Sequence, residues 1–272
     1  MKIYSGRVVR GCFKLSFKSV VAAVLCGGEG SRLRPLTYYF QKSMIPVGSS
    51  QKPLLEYVVR LLRAHSIRSI IFLVNYKHEQ ILNYFGDGSR FDLDIRYVID
   101  RGDRRGTGWA ILNAYEHRLF EGYDNVLVYY GDILSNIDLT DMLNTHANSD
   151  AYATIAVSKG YRLPVGVAHV EDGRIVRFEE KPTIEVPVCI GIAAFRIEAL
   201  HTLREEYAGR LELDIMSHLI PKLIELGRPV KAYFTDCFWY DLGSTEKYEK
   251  LDHSLVDRLF ELEDERLEVR HV

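Results

Sequence analysis

The sequence predicts an α/β fold: a Rossmann-like, doubly wound mixed sheet, with a β-rich lobe inserted after its first half and a helix closing the chain. Three observations carry this. A near-continuous apolar run, Val20 to Leu25, feeds a glycine-rich turn at Gly27, Gly28 and Gly30, as a parallel strand covered on both faces does where it leaves the sheet. Strand-like and helix-like runs then alternate, the order of a parallel sheet built from β-α-β units. From Ile137 the pattern shortens to strands and hairpins, which marks a second lobe.

Leu54 to His65 sets Leu54, Leu55, Val58, Val59, Leu61 and Leu62 on one broad face, the spacing of a helix packed on a sheet. Ser69 to Val74 is again an unbroken apolar run, a second buried strand. Lys77 to Phe85 reads as a helix closed by Gly86-Asp87-Gly88, Asp94 to Ile99 as a third strand, and Asn125 to Tyr130 as a fourth ending in Gly131-Asp132. Asp138 is placed to cap a helix running to about Ala147. Strands follow near Ala151 to Val157 and Val165 to Val170, then a Glu171-Asp172-Gly173 hairpin turn, a return strand Arg174 to Glu179, and Val188 to Arg196 interrupted by Gly191. Leu213 to Leu226 reads as a helix kinked at Pro221 and ended by Gly227, with Asp214 at its start. Ser244 to Leu259 reads as one closing amphipathic helix. Residues 19–260 are thus expected to form a single domain, divided into lobes 19–136 and 137–260. Residues 1–18, with five basic and no acidic side chains, are an extension without an assigned role, and 261–272 a charged tail.

At 272 residues and 47% hydrophobic content the chain can bury a full core. Its net charge of −2 supplies no general attraction to nucleic acid or to an anionic membrane. No apolar run reaches the roughly 18 residues of a membrane span. The basic residues before Val20 superficially resemble a signal peptide, but the apolar run is too short and belongs to the strand. Cys12, Cys26, Cys189 and Cys237 have no metal-ligand spacing and read as buried free thiols of a reducing compartment, so the expected location is cytoplasmic. Homo-oligomerisation stays open.

The glycine loop has the chemistry of an anion site. Gly27, Gly28 and Gly30 clear side chains from the path of backbone N–H groups and permit the positive φ angles of a nest. Arg32 and Lys42 add full charges. A P-loop would end in Gly-Lys-Ser/Thr, whereas this loop ends Gly30-Ser31-Arg32-Leu33. A dinucleotide fingerprint would need a third glycine where Leu33 stands. Both are excluded.

The run Gly27-Gly28-Glu29-Gly30-Ser31-Arg32-Leu33-Arg34-Pro35-Leu36-Thr37, then Lys42, Met44-Ile45-Pro46-Val47 and Lys52-Pro53-Leu54-Leu55-Glu56, resembles the sugar-1-phosphate nucleotidylyltransferases, the pyrophosphorylases that make nucleotide sugars. Further matches follow in the family's order: Gly106-Thr107, Gly131-Asp132, Glu180-Lys181-Pro182 and Trp239-Tyr240-Asp241-Leu242-Gly243-Ser244. The resemblance implies Mg²⁺-dependent transfer of a nucleotidyl group from a nucleoside triphosphate to a sugar 1-phosphate, glucose or mannose 1-phosphate foremost, with pyrophosphate released. It assigns Leu25, Gly27, Gly28, Gly30, Ser31, Arg32, Lys42, Arg101, Gly106 and Thr107 to the nucleotide. It assigns Gly166, Glu180, Lys181 and Gly191 to the sugar phosphate, and Asp132 and Asp241 to the metal. Catalysis would rest on Arg32, Lys42, Asp132, Lys181 and Asp241. Pro182 biases Lys181 toward an extended conformation, and neighbours on an extended segment point to opposite faces.

The chain departs from the family at several points. Gln41 stands for a proline, and Gly48 to Gln51 forms a slightly longer loop. Arg101 stands where relatives select a pyrimidine with glutamine, which tilts the base away from uracil and thymine, since arginine lacks an amide's donor–acceptor pair. A solvated cationic loop is the plain alternative for Arg101, Arg104 and Arg105. Val165 stands for a tyrosine, and Cys189-Ile190 for a polar sugar contact. Two other functions remain open: a non-catalytic regulatory homologue that binds a nucleotide sugar, and a cytidylyltransferase acting on a non-sugar phosphate such as phosphocholine. The presence of Arg32, Lys42, Asp132 and Asp241 weighs against the first, and Glu180-Lys181 against the second.

Overall fold

The computed structural model describes residues 20–100, 102–163, 165–207 and 209–260. The 1–18 extension, the 261–272 tail and Arg101 lie outside the described residues. Seven strands form the central sheet in the order β10-β6-β9-β4-β1-β2-β3. They are β1 (Val20–Cys26), β2 (Ser69–Val74), β3 (Asp94–Ile99), β4 (Asn125–Tyr130), β6 (Ala153–Ser158), β9 (Val188–Arg196) and β10 (Val230–Thr235). β1 runs parallel to β2 and β4, β2 parallel to β3, and β10 parallel to β6, whereas β9 is antiparallel to both of its neighbours. The sheet is therefore mixed, as the sequence predicts, and both halves of the chain contribute to it.

The pleat of β1 explains the two layers of helices. Val20, Ala22, Val24 and Cys26 face one cluster with α1 (Leu54–Ala64), α2 (His78–Phe85) and α4 (Leu139–Ala147). Val21 and Ala23 face a second with α3 (Thr107–Glu116), α5 (Ile197–Tyr207) and α6 (Ile220–Glu225). Burial of each larger aliphatic side chain contributes about 1.5–3 kcal/mol, so an unbroken apolar β1 is what a sheet sandwiched between helices requires. Asp138 caps α4 by accepting from Asp141 N at 2.9 Å.

Among the described residues four small antiparallel pairs stand outside the central sheet, and two of them bear on the site. β5 (Ile133–Ser135) pairs with β11 (Trp239–Asp241), and β7 (Val167–Glu171) pairs with β8 (Arg174–Glu179). Asp172 (φ 47°) and Gly173 (φ 75°) turn the second hairpin, both in the left-handed region that a tight two-residue turn demands.

Two helical expectations are corrected. Leu213–Leu226 is not one kinked α-helix: Ile215–Leu219 is a π-helical turn that runs into α6, with Pro221 in the first turn of α6. Proline lacks the N–H that a continued ladder needs there. Asp214 does cap the start, accepting from Met216 N and Ser217 N. The closing helix is two, α7 (Thr245–Glu249) and α8 (His253–Leu259), because Asp252 accepts from Leu255 N at 3.0 Å and starts a new one. Among the described residues no helix is long and apolar enough to cross a membrane.

Candidate active site

The glycine loop leaves β1 at Cys26. Gly30 lies in the left-handed region (φ 63°), its carbonyl accepts from Thr37 Oγ1 at 2.9 Å, and a Cβ there would stand 2.9 Å from Thr37 Cγ2. Only glycine fits. Gly27 and Gly28 lack positive φ, which corrects the expectation for all three glycines. Gly28 has open space where a Cβ would be, so its backbone is accessible to a ligand. Ser31 and Arg32 are exposed on the following turn.

Lys42 is anchored by its neighbour. Gln41 is buried, its Oε1 accepts from Ser43 N at 2.6 Å, and its Nε2 donates to Cys26 O at 2.7 Å. Its own N donates to Gln80 Oε1 at 2.7 Å. The residue that departs from the family's proline thus ties the turn bearing Lys42 to the end of β1. Lys42 Nζ pairs directly with Asp132 Oδ2, with side-chain exposures of only 16% and 19%.

The β5–β11 ladder brings the backbone segments bearing Asp132 and Asp241 together. Asp241 is the register partner of Ile133, and Leu242 N donates to Asp132 O at 3.0 Å. Each carboxylate holds its own ammonium, because Lys247 Nζ lies 2.6 Å from Asp241 Oδ2. The sequence offers no reason to expect Lys247 beside Asp241. Thr245 Oγ1 donates to Arg32 O and Arg34 O, both at 3.3 Å, and so joins α7 to the glycine loop. Among the described residues no group of three or more His, Cys, Asp or Glu could cage a metal. Two hard carboxylates fit an ion that takes its remaining ligands from water and phosphate, as Mg²⁺ does.

Between these groups and α3 opens a cavity of about 410 Å³. Leu25, Gly27, Gly28, Lys42, Gly106, Thr107 and Asp132 all line it, at the carboxyl ends of the parallel strands where doubly wound sheets bind ligands. Gly30, Ser31, Arg32 and Asp241 are not in its lining. Gly106 has φ 98°, and a Cβ on it would collide with Leu213 O. That glycine is thus required by its packing on Leu213. The Thr107 hydroxyl donates to Asp214 Oδ2 at 2.6 Å and accepts from Ile215 N. Burial pushes the Tyr130 phenol up to about 12 and drives the Cys26 thiol far above its ordinary value, so neither wall group ionises near neutrality. Cys26 is a buried free thiol as expected, but Cys189 is exposed and Cys237 half-buried.

The second-lobe residues stand apart from this cavity. A Cβ on Gly166 would collide with the Phe178 ring and lie 3.0 Å from Glu180 Oε2. Lys181 departs from the expectation of extended backbone: its φ is +49°, and its Nζ comes within 3.7 Å of Glu180 Oε1. The acid and base therefore approach one another instead of pointing to opposite faces, since the turn after Glu180 overrides the bias of Pro182. Gly191 has φ 79°, at an irregularity in the pairing of β9 with β6, and a Cβ there would meet Ile133 Cγ1 at 3.0 Å. Packing against β5 therefore requires a glycine there.

Comparisons with known proteins place the chain in a family and support its fold. The chain is 32% identical over 253 residues to a UTP–glucose-1-phosphate uridylyltransferase of Synechocystis sp., a match covering 87% of this chain and 63% of the relative. It is 31% identical over 244 residues to a mannose-1-phosphate guanylyltransferase of Mycobacterium tuberculosis, covering 87% and 65%. The chain thus spans less than two thirds of the length of these relatives. A crystal structure of a candidate glucose-1-phosphate thymidylyltransferase from Bacillus anthracis superposes with a TM-score of 0.71 at 22% identity, covering 88% of this chain and 95% of that one, and supports the fold. Residues 21–258 match the family model described as Nucleotidyl transferase, and the chain belongs to that family.

Proposed function

We propose that the protein transfers a nucleotidyl group from a nucleoside triphosphate to a sugar 1-phosphate, with glucose or mannose 1-phosphate as acceptor, giving a nucleotide sugar and pyrophosphate. The observation that carries this reading is the cavity at the strand ends, which the Lys42–Asp132 pair lines together with the open backbone of Gly28. The names of relatives that act on glucose and mannose 1-phosphate support the acceptor class.

The sugar phosphate oxygen is the nucleophile. It is ionised at neutral pH, so no side chain need remove a proton. It forms a bond to the α-phosphorus while the bond from that phosphorus to the bridging oxygen breaks, and pyrophosphate leaves with the electron pair. Arg32 and Lys42 neutralise the triphosphate, Lys42 turning from Asp132 onto phosphate oxygens. Lys181 holds the sugar phosphate, and Glu180 accepts from sugar hydroxyls. Asp132 and Asp241 would hold Mg²⁺, which offsets the repulsion between the two reacting anions. Catalysis on this reading is positioning and charge neutralisation. These substrates belong to the cytoplasm, which is the location we infer.

The test is pyrophosphate release with Mg²⁺ from ATP, GTP, CTP, UTP and dTTP, each offered with glucose, mannose, galactose or N-acetylglucosamine 1-phosphate, or with phosphocholine. Release that needs both a triphosphate and a sugar phosphate is the expected result. Release with phosphocholine alone would move the acceptor out of the sugar class, and silence in every well would sink the enzymatic reading.

A further inference from the structure

We propose that Asp100 reads the nucleobase and that the base is guanine; this rests on the function proposed above and deepens it. Asp100 follows β3, two strands from β1, and lines the same cavity as Lys42 and Asp132. At about 4.8 Å per strand, the ends of β1 and β3 are separated by about 10 Å, within a nucleotide's reach. Phosphates gripped at Gly28 and Lys42 therefore direct the base toward Asp100.

The carboxylate is held ready for a ligand. Asp100 N donates to Val74 O at 2.9 Å, and Asp100 Oδ1 accepts from Asn113 Nδ2 on α3 at 2.9 Å. Among the described residues no cation forms an ion pair with it, although Arg104 and Arg105 line the same cavity and the Arg104 guanidinium lies 4.1 Å from the Trp109 ring centroid. Partial burial raises its pKa above the ordinary carboxylate value. A half-desolvated acceptor with no ion pair among the described residues is stabilised by a ligand that brings donors.

The bases differ in what they offer it. A carboxylate only accepts, through two oxygens side by side. Guanine presents two adjacent donors, N1–H and the N2 amino group. Uracil and thymine present one N–H flanked by two carbonyls, and adenine and cytosine an amino group beside a bare ring nitrogen. Each of these sets a lone pair against the carboxylate, and a site built for paired donors rejects ligands that leave it unmatched. Arg104 and Arg105, donors only, suit the O6 and N7 acceptors of the same base.

The decisive measurement is calorimetric binding of GDP, IDP, XDP, ADP, CDP, UDP and dTDP with Mg²⁺ to the wild type and to Asp100→Asn, alongside turnover of the triphosphates. A hydrogen bond to a charged group corresponds to roughly tenfold to hundredfold in affinity. The wild type should therefore bind GDP about tenfold tighter than IDP, which lacks the N2 amino group, and about a hundredfold tighter than UDP. Asp100→Asn should lose about a hundredfold for GDP and gain about tenfold for XDP, whose carbonyl at C2 accepts from the new amide. Asparagine retains an oxygen for Asn113, and a gain for XDP is an effect that a merely structural role would not produce. Another base bound as tightly as GDP, or a variant with unchanged preference, overturns the inference. Turnover led by UTP would keep the enzymatic reading and overturn this one. Tight GDP binding without pyrophosphate release would do the reverse, and failure to bind any nucleotide would overturn both.

Discussion

Lys42 and Asp132 in the first half of the chain have side chains 16% and 19% exposed, whereas Lys181 and Glu180 in the second are 50% and 65% exposed. Asp132 follows the end of β4 in a seven-stranded sheet, and Lys42 sits on a turn that Gln41 holds through three hydrogen bonds. The second pair follows the β7–β8 hairpin, whose residues are exposed along nearly its whole length, and a two-stranded hairpin is marginal by itself. On the proposed function, the triphosphate meets a site already formed, while the sugar phosphate must order its own. Ordering a long side chain costs about 0.5–1.5 kcal/mol, so affinity for the second substrate should be the weaker and more mutable of the two.

The largest expected effect strikes the preformed side. Asp132→Asn should lower turnover by about a thousandfold, or about 4 kcal/mol, with a much smaller loss of stability, because asparagine keeps an oxygen for Lys42. An active variant with unchanged Mg²⁺ dependence would remove Asp132 from the metal.

Acid probes whether the second half is soft throughout or only at its rim. His146 is buried on α4, bonded to Thr154 at 2.8 Å, and burial together with Arg196 pushes its pKa down to about 4. The unfolded chain, with an ordinary value near 6.5, therefore binds the proton first as pH falls. This stability is complete above about pH 6.5 and is lost as pH falls to about 4, up to about 3 kcal/mol in all. Urea titrations at pH 7 and pH 4.5 should differ accordingly, and a His146→Gln variant should show a flatter dependence. An unchanged slope would mean that the floor of this half tolerates a buried charge.

Lys181→Ala should raise KM for the sugar phosphate by about 30-fold, about 2 kcal/mol, with a much smaller effect on the triphosphate. Equal changes in both would erase the contrast between the halves. The smallest effect belongs to the join: Thr245→Val removes two long hydrogen bonds to the glycine loop and should cost at most about 1 kcal/mol of stability, read by thermal melting.

What the sequence revealed and what it hid divide along the range of the interactions. Ser69–Val74, Asp94–Ile99, Asn125–Tyr130 and Arg174–Glu179 match their predicted bounds, because strand runs and turns are written in adjacent residues. Asp138 and Asp214 were legible as caps for the same reason. Asp252 carried an equally local signal, but the amphipathic spacing on either side concealed the break it causes. Gln41, Lys247 and Asp100 have partners on other elements or another turn, Cys26 and Gln80, Asp241, and Asn113 respectively, so the sequence around them does not show these contacts. The positive φ of Lys181 follows from the path of the turn, which a dipeptide preference does not contain.

The ladder between β5 and β11 has a consequence in time as well as in space. Asp132 and Leu242 are bonded across more than a hundred residues of chain, and contacts of such separation close late in folding because loop entropy must be overcome first. A chain emerging from the ribosome can pair β1 with β2 and β4 and form the glycine loop well before the segment bearing Asp241 exists. On the proposed function, the nascent protein would thus acquire its phosphate-binding loop well before the second carboxylate, Asp241, joins it.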